Sequence, residues 1–312
     1  MKRNLIMGAA PASGRLRVLV TSAMLSAVLA VTAAGIPAAA AAQSAGHGGV
    51  ASVFYTTSGA GNGLPNGAEI FAITVSGATV TTRDVGPTYG GDCGSLALSP
   101  HGTLYSMCGS LFGIQQLAVI NKQTGRADQF GVKVPGLAVM AMAFGPNGTL
   151  YAVGDCNPDP VTFECIADKD FNALYTVNMH TGAFTRIGPT GAPQFFMDLT
   201  FDSHGTMLGV TTTVNPSTTP AILYRINPAK GTATKLRTLT GSNAVMGLAF
   251  GRNGTLYGTD FTPTSHLYRI DPNTGLQTTI ATLPFGSSSG LELMNPSECG
   301  HPRSFAQDRL WG

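Results

Sequence analysis

The chain has 312 residues, with 18 Lys+Arg against 16 Asp+Glu and a formal charge of +2. Four of those cations, Lys2, Arg3, Arg15 and Arg17, precede an uncharged apolar run; without them 14 cations face 16 anions, a net of −2. A nearly neutral chain with no basic stripe argues against a nucleic-acid partner, and 11% charged residues with 40 Gly and 19 Pro suit many short strands and tight turns.

The first segment reads as an address. Residues 18–34 are apolar and residues 38–42 offer A-x-A sites, which predicts a secretory signal over 1–42 cut after Ala42, then a linker over 43–49. The apolar run could nearly span a bilayer, so a retained anchor is the competing reading. No Cys follows the run to take a lipid. Export predicts an extracellular or cell-envelope location, no membrane association after cleavage, and an oxidising space in which disulfides form.

One phrase then recurs along the chain. It runs Leu-Ala-Phe, Gly-Thr-Leu-Tyr, then Leu-Tyr-x-Ile-Asn/Asp followed by Thr-Gly, most clearly at Leu248-Ala249-Phe250, Gly254-Thr255-Leu256-Tyr257 and Leu267-Tyr268-Arg269-Ile270-Asp271. Short strands and turns repeating at this length predict an all-β propeller of four-stranded blades, A to D. In chain order, residues 53–57 read as a strand B with no strand A before it. Strands C are predicted at 70–74, 117–121, 174–178, 223–227 and 267–271. Strands A are predicted at 95–98, 141–144, 198–201 and 247–250, each followed by a strand B opening at Gly102, Gly148, Gly205 or Gly254. Residues 290–294 read as a strand A with no strand B after it. Pairing the two ends completes a fifth blade and removes exposed sheet edges; six blades is the alternative count. The propeller is placed at 50–294, followed by a polar tail at 295–312.

Local chemistry supports the repeat. Gly and Asn at Gly145-Pro146-Asn147-Gly148 and Gly251-Arg252-Asn253-Gly254 are expected to take the positive φ of a tight A–B hairpin. The Asn or Asp ending each strand C is expected to hydrogen-bond the turn after it. Repeated Tyr residues (Tyr105, Tyr151, Tyr175, Tyr224, Tyr257 and Tyr268) read as packing between blades rather than a ligand stripe. If Leu98 faces Thr103, counting outward sets Cys93 opposite Cys108, a cross-strand disulfide subject to geometry. Cys156 and Cys165 share a loop they could close, and Cys299 is left over in the tail. No C-x-x-C pair exists, so thiol–metal binding is the weaker reading.

The repeats resemble those of secreted bacterial β-propellers with LYGID-x-x-TG units, over nearly all of residues 50–294. That group is mostly uncharacterised, so the resemblance implies a fold and little about activity. The chain is more loosely similar to virginiamycin B lyase-like propellers. Those favour GNLWF where this chain has GTLYG, and seven blades where five are counted here, so no lyase residue is carried across.

Function is expected on one face. The A–B and C–D turns are short and uniform, whereas the B–C loops (58–67, 109–113, 155–171, 213–220 and 260–265) vary, and variable loops on a rigid ring are where function usually lives. Acids gather there. Asp92 precedes one inner strand, Asp155 and Asp260 end strands B, and Asp198 opens an inner strand where the sister repeats have Ser95, Ala141 and Gly247. If they converge at the channel mouth, Asp92, Asp155, Asp198 and Asp260 could hold Ca²⁺ or face a cationic ligand; the bland alternative is solvated loop carboxylates. His266 borders the same face, while His101, His204 and His180 read as turn residues. Sialidase-type and quinone-type propellers need tryptophans, and the single Trp, Trp311, lies in the tail. A glycosidase would need facing inner-strand carboxylates, and only Asp198 and Glu292 lie on strands A. The resulting expectation is a secreted monomer, with no required cofactor, that binds a small molecule, glycan, peptide or envelope protein through Asp198, Asp155, Asp260, Asp92 and His266. The alternative is a lyase, hydrolase or isomerase using the same carboxylates, with or without Ca²⁺.

Overall fold

Short apolar strands punctuated by glycine-closed turns build five four-stranded antiparallel sheets. The computed structural model describes residues 50–59, 66–110, 113–135, 137–156, 172–212 and 219–294, the side chains of Asp155 and Cys156 excepted. The segment read as a secretory signal, the linker expected up to Gly49, the residues after Met294 and the expected Cys156–Cys165 bridge lie outside the described residues.

Blade 1 comprises β4 (Ala97–Leu98), β5 (Leu104–Gly109), β6 (Ile114–Ile120) and β7 (Ala127–Pro135). Blade 2 comprises β8 (Leu137–Phe144), β9 (Leu150–Cys156), β10 (Ala173–Val177) and β11 (Phe184–Pro189). Blade 3 holds β12 (Phe195–Phe201), β13 (Met207–Thr212), β14 (Ile222–Ile226) and β15 (Ala233–Thr238). Blade 4 holds β16 (Val245–Phe250), β17 (Leu256–Asp260), β18 (His266–Ile270) and β19 (Gln277–Thr282). The fifth blade is composite: β20 (Ser288–Leu293) pairs with β1 (Ser52–Ser58), which leads to β2 (Glu69–Ser76) and β3 (Thr79–Pro87). Phe54 sits opposite Leu293, Tyr55 opposite Glu292 and Thr56 opposite Leu291, so the ring closes as the repeat predicts, with five blades rather than six. The first strands of the sheets neighbour one another in sequence order, and β20 neighbours β4, which encloses an axis.

Four of the five inner strands start earlier than the repeat phrase, whereas β4 starts later, at Ala97 rather than residue 95. Each of β8, β12, β16 and β20 carries one extra residue against its partner, at Met140, Met197, Met246 and Gly290. A bulge of this kind bends the strand and raises its local twist. In blade 1 the expected Leu98–Thr103 pairing is off by one: Leu98 faces Leu104. Cys93 and Cys108 are nonetheless bridged, with their Cα atoms 4.2 Å apart. The one-residue offset is taken up between Cys93 and Ala97, where the other inner strands have their bulge.

The turns follow their side chains. Gly148 and Gly254 take φ of 78° and 74°, but Asn147 and Asn253 do not share the positive φ expected of them. Their side-chain oxygens instead accept the N–H groups of Thr149 and Thr255, each at 3.1 Å. After strands C, Asn121 accepts from the N–H groups of Gln123 and Thr124, Asn178 from His180 and Thr181, and Asn227 from Ala229 and Lys230. The Gly that follows allows blades to touch. A Cβ on Gly125 would lie 2.0 Å from the carbonyl oxygen of Gly86 on the preceding blade.

Between blades the tyrosines pack as core. Tyr105 meets Phe144 and Tyr151 meets Phe201, each with ring centroids 5.8 Å apart, and Tyr257 meets Phe54 at 5.1 Å. On the loop face, buried polar side chains tie each blade to the next. Gln115 accepts from the N–H of Val139, and the Asn172 amide reaches the carbonyls of Ala192 and Gln194. Thr212 donates to the carbonyl of Asn243, Ser265 accepts from the N–H of Ser288, and Ser289 donates to the carbonyl of Gly94. Buried polar groups need such partners, and here the partners belong to the neighbouring blade.

Candidate functional site: an axial carboxyl pair and a rim histidine

The innermost strands expose unpaired N–H groups toward the axis, because each pairs on one edge only. Two carboxyls answer this need. Asp198, on β12, is fully buried. One of its oxygens accepts the N–H of Leu199 at 2.9 Å; the other accepts the N–H of Leu248 on β16 at 2.7 Å and of Leu291 on β20 at 2.9 Å. One side chain thus holds the inner strands of three blades. Glu292, on β20, accepts from the backbone N–H groups of Leu98 and Leu293 and so links the closing blade to blade 1.

Burial dominates the charge state of both groups. It raises Asp198 well above the ordinary carboxylate value, against the three N–H bonds that favour the ion and together with the nearby Glu292 charge. Burial likewise pushes Glu292 up to about 8. By surface area Glu292 is only partly buried, although protein surrounds its carboxyl.

The second constellation lies on the loop face of blade 4. Asp260, the last residue of β17, is 1% exposed. Its Oδ1 accepts the N–H of His266 at 2.8 Å and the Thr262 hydroxyl at 3.1 Å; its Oδ2 accepts the Tyr268 hydroxyl at 2.6 Å and lies 3.3 Å from His266 Nδ1. The five-residue loop between β17 and β18 returns the chain so that His266 and Tyr268, on one side of β18, both reach the carboxylate. A hydrogen bond from the imidazole to a carboxylate oxygen places the proton on Nδ1. Among the described residues Nε2 has no hydrogen-bond partner, and a third of the side chain is exposed. Burial, reinforced by Asp260, raises the Tyr268 phenol well above its usual value and keeps it protonated.

The other sequence candidates are placed differently. Asp92 is partly buried beside the Cys93–Cys108 bridge, and its N–H donates to the carbonyl of Gly109 at 2.7 Å. Asp155 occupies β9 near its end, and its side chain is outside the described residues. Asp198 and Asp260 share no partner. Among the described residues no three His, Cys, Asp or Glu side chains gather at metal-holding spacing. His204 is exposed and lies 4.0 Å from Asp202 in its turn.

Two participants fell outside the predicted site residues. Glu292 stands alone where the other inner strands have Leu96, Met142, Leu199 and Leu248, an irregularity like that of Asp198 one position earlier. Tyr268 belongs to the repeating tyrosines, and nothing in the phrase marks it as a partner of Asp260.

A family model described as "Repeat of unknown function (DUF6923)" matches residues 141–290, from β8 to β20. No curated protein matches the sequence. Solved structures with a similar fold include a gluconolactonase from Xanthomonas campestris, at 12% identity and a TM-score of 0.44, covering 70% of this chain and 74% of that one. Virginiamycin B lyase from Staphylococcus aureus has 15% identity and a TM-score of 0.40, with 75% of each chain covered. A protein from Lactobacillus plantarum has 11% identity and a TM-score of 0.45, covering 79% of this chain and all of that one. None of these likenesses bears on the chemistry of this chain. Among the described residues no helix is long and apolar enough to cross a membrane.

Proposed function

We propose that this chain is an exported binding propeller that holds a small molecule, glycan, peptide or envelope component on its B–C/D–A loop face, with His266 as the polar handle and Asp260 as its support. One observation carries the reading: a buried carboxylate orients an imidazole whose second nitrogen has no partner among the described residues and whose side chain is one third exposed. Asp198 is removed from the ligand set, because backbone N–H groups of three blades already engage its two oxygens. Neither Ca²⁺ nor another cofactor is required by this reading. A thermal-shift screen against sugars, peptidoglycan fragments and peptides, run with and without EDTA, tests it. A ligand that stabilises the wild type and loses about tenfold affinity with His266→Ala, irrespective of EDTA, supports it; stabilisation by Ca²⁺ that EDTA reverses would replace it with a metal-dependent site.

The same Asp260–His266 contact favours a second reading, an enzyme in which the imidazole takes a proton as general base and the carboxylate stabilises the resulting cation. Turnover of a bound ligand that disappears in His266→Ala, while ligand affinity survives in His266→Gln, would select this reading over simple binding.

A further inference from the structure

The connection from blade 5 into blade 1 contains Thr88-Tyr89-Gly90-Gly91-Asp92, and Tyr89 takes a φ of 53°. An aromatic residue in the left-handed region is strained, and such strain persists only where the surroundings impose it. Here they do. Thr88 and Tyr89 donate their N–H groups to the carbonyls of Ala68 and Asn66, Ala68 donates to Gly91, and Asp92 donates to Gly109. The Gln129 amide holds the carbonyl of Gly90 at 3.0 Å. A Cβ on Gly90 would come within 3.3 Å of the sulfur of the bridged Cys93.

The repeat supplies an internal control. The connection from blade 2 into blade 3 makes the same bonds: Thr190 donates to Asn172 as Thr88 does to Ala68, and its carbonyl accepts from Ala233 as that of Thr88 does from Ala127. The residue after Thr190 is Gly191, with φ of 75° and open space around it. Blade architecture therefore accepts glycine at this position, and this chain has put a tyrosine there. The ring is not buried in return. Tyr89 is 61% exposed, and the Arg126 guanidinium lies over it, 6.0 Å from its centroid.

We propose that Tyr89 and Arg126 form a binding platform for an acidic sugar chain, a uronate-bearing glycan, at the outer edge of the junction between blades 5 and 1. An exposed aromatic ring presents a flat apolar face to the C–H groups of a pyranose, and anchoring the backbone that carries it lowers the ordering cost of binding. The guanidinium beside it matches a carboxylate in shape and charge. The backbone beside the ring is held by polar groups, the carbonyl of Asn66, the Thr88 hydroxyl and the Gln129 amide, which with the Arg126 guanidinium suit a hydroxyl-rich, acidic ligand. The platform refines the reading of this protein as a binder, but stands apart from His266, which lies on blade 4.

Calorimetry with oligogalacturonate and with a neutral maltohexaose tests the proposal on the mature chain. The wild type is expected to bind the acidic oligomer at least about tenfold more tightly than the neutral one, with affinity falling as salt rises. Tyr89→Asn and Tyr89→Gly, which suit the left-handed backbone, should melt no lower than the wild type while losing about tenfold in affinity. Arg126→Gln should erase the acidic preference, and His266→Ala should leave uronate binding intact. Equal affinity for both oligomers, unchanged binding in Tyr89→Asn, or a large fall in melting temperature for both Tyr89 variants would overturn it. Loss of uronate binding in His266→Ala with retention in Tyr89→Asn would move the ligand to the blade 4 site and sink the platform alone. Selective binding of an acidic peptide with no response to uronate would assign the tyrosine to a protein partner instead.

Discussion

Asp198 and Asp260 are both withdrawn from solvent, and each accepts several hydrogen bonds. Asp198 takes only backbone N–H groups, from strands of three blades. Asp260 takes two hydroxyls, one N–H and an imidazole, all from its own blade. The first arrangement uses a side chain to complete a sheet edge that no neighbouring strand can reach. The second uses a carboxylate to aim other side chains at the rim. Burial alone does not separate a structural acid from a functional one; the identity of the donors does.

The contrast predicts a graded set of outcomes. Asp198→Ala leaves three axial N–H groups without an acceptor, and should cost about 3–5 kcal/mol in urea-induced unfolding. A cost below about 1 kcal/mol would mean that water replaces the carboxylate at the axis. Next in size is the effect of pH. Glu292 is raised in the folded chain, so between the ordinary carboxylate value of 4.5 and about 8 the folded state binds more protons than the unfolded one. Its contribution to stability is therefore full below pH 4.5 and is lost as pH climbs to about 8; Asp198 shifts in the same direction. The fall should be on the order of a few kcal/mol across that window. Glu292→Gln should flatten it and melt higher than the wild type at pH 8.5, and parallel curves for the two proteins would reject the assignment.

On the rim the expected losses of stability are smaller. Asp260→Ala unfastens Tyr268 and His266 and should cost about 1.5–3 kcal/mol, the range of a hydrogen-bonded charged group. Tyr268→Phe in the same background should then add little, because the two share one bond; full additivity would show that they act independently. His266→Ala should change unfolding by no more than about 0.5 kcal/mol while weakening whatever ligand the face holds. If it unfolds the protein instead, His266 belongs with Asp198 as a fold residue.

Much of the architecture was legible because a propeller repeats its local rules. Gly254-Thr255-Leu256-Tyr257 and its sisters state strand, turn and packing in a few residues, and the orphan strands at the two ends announce a shared blade. Register within the inner strands was not legible. The extra residue is a Met in three of the four bulged strands, Met140, Met197 and Met246, but a recurring Met does not announce a bulge, which reflects how the strand bends around the axis. For the same reason the Cys93–Cys108 pairing was reached through a register one residue out. Asp198 stood out by breaking the pattern, yet its role could not be inferred, because Leu248 and Leu291 are distant in sequence and offer only backbone N–H groups.

The amino-acid sequence by itself determined the strand periodicity, the turn chemistry and a ring of five or six blades closed by its two ends, all of which follow from local patterns repeated at blade spacing; the structure fixed the count at five. Only the tertiary structure decided which polar groups meet. It turned Asp198 toward the axis, gathered His266 and Tyr268 around Asp260, and set Tyr89 in a backbone conformation that its sister loop gives to Gly191. Those outcomes depend on distances between strands brought together by the closed ring, and no local pattern encodes such distances.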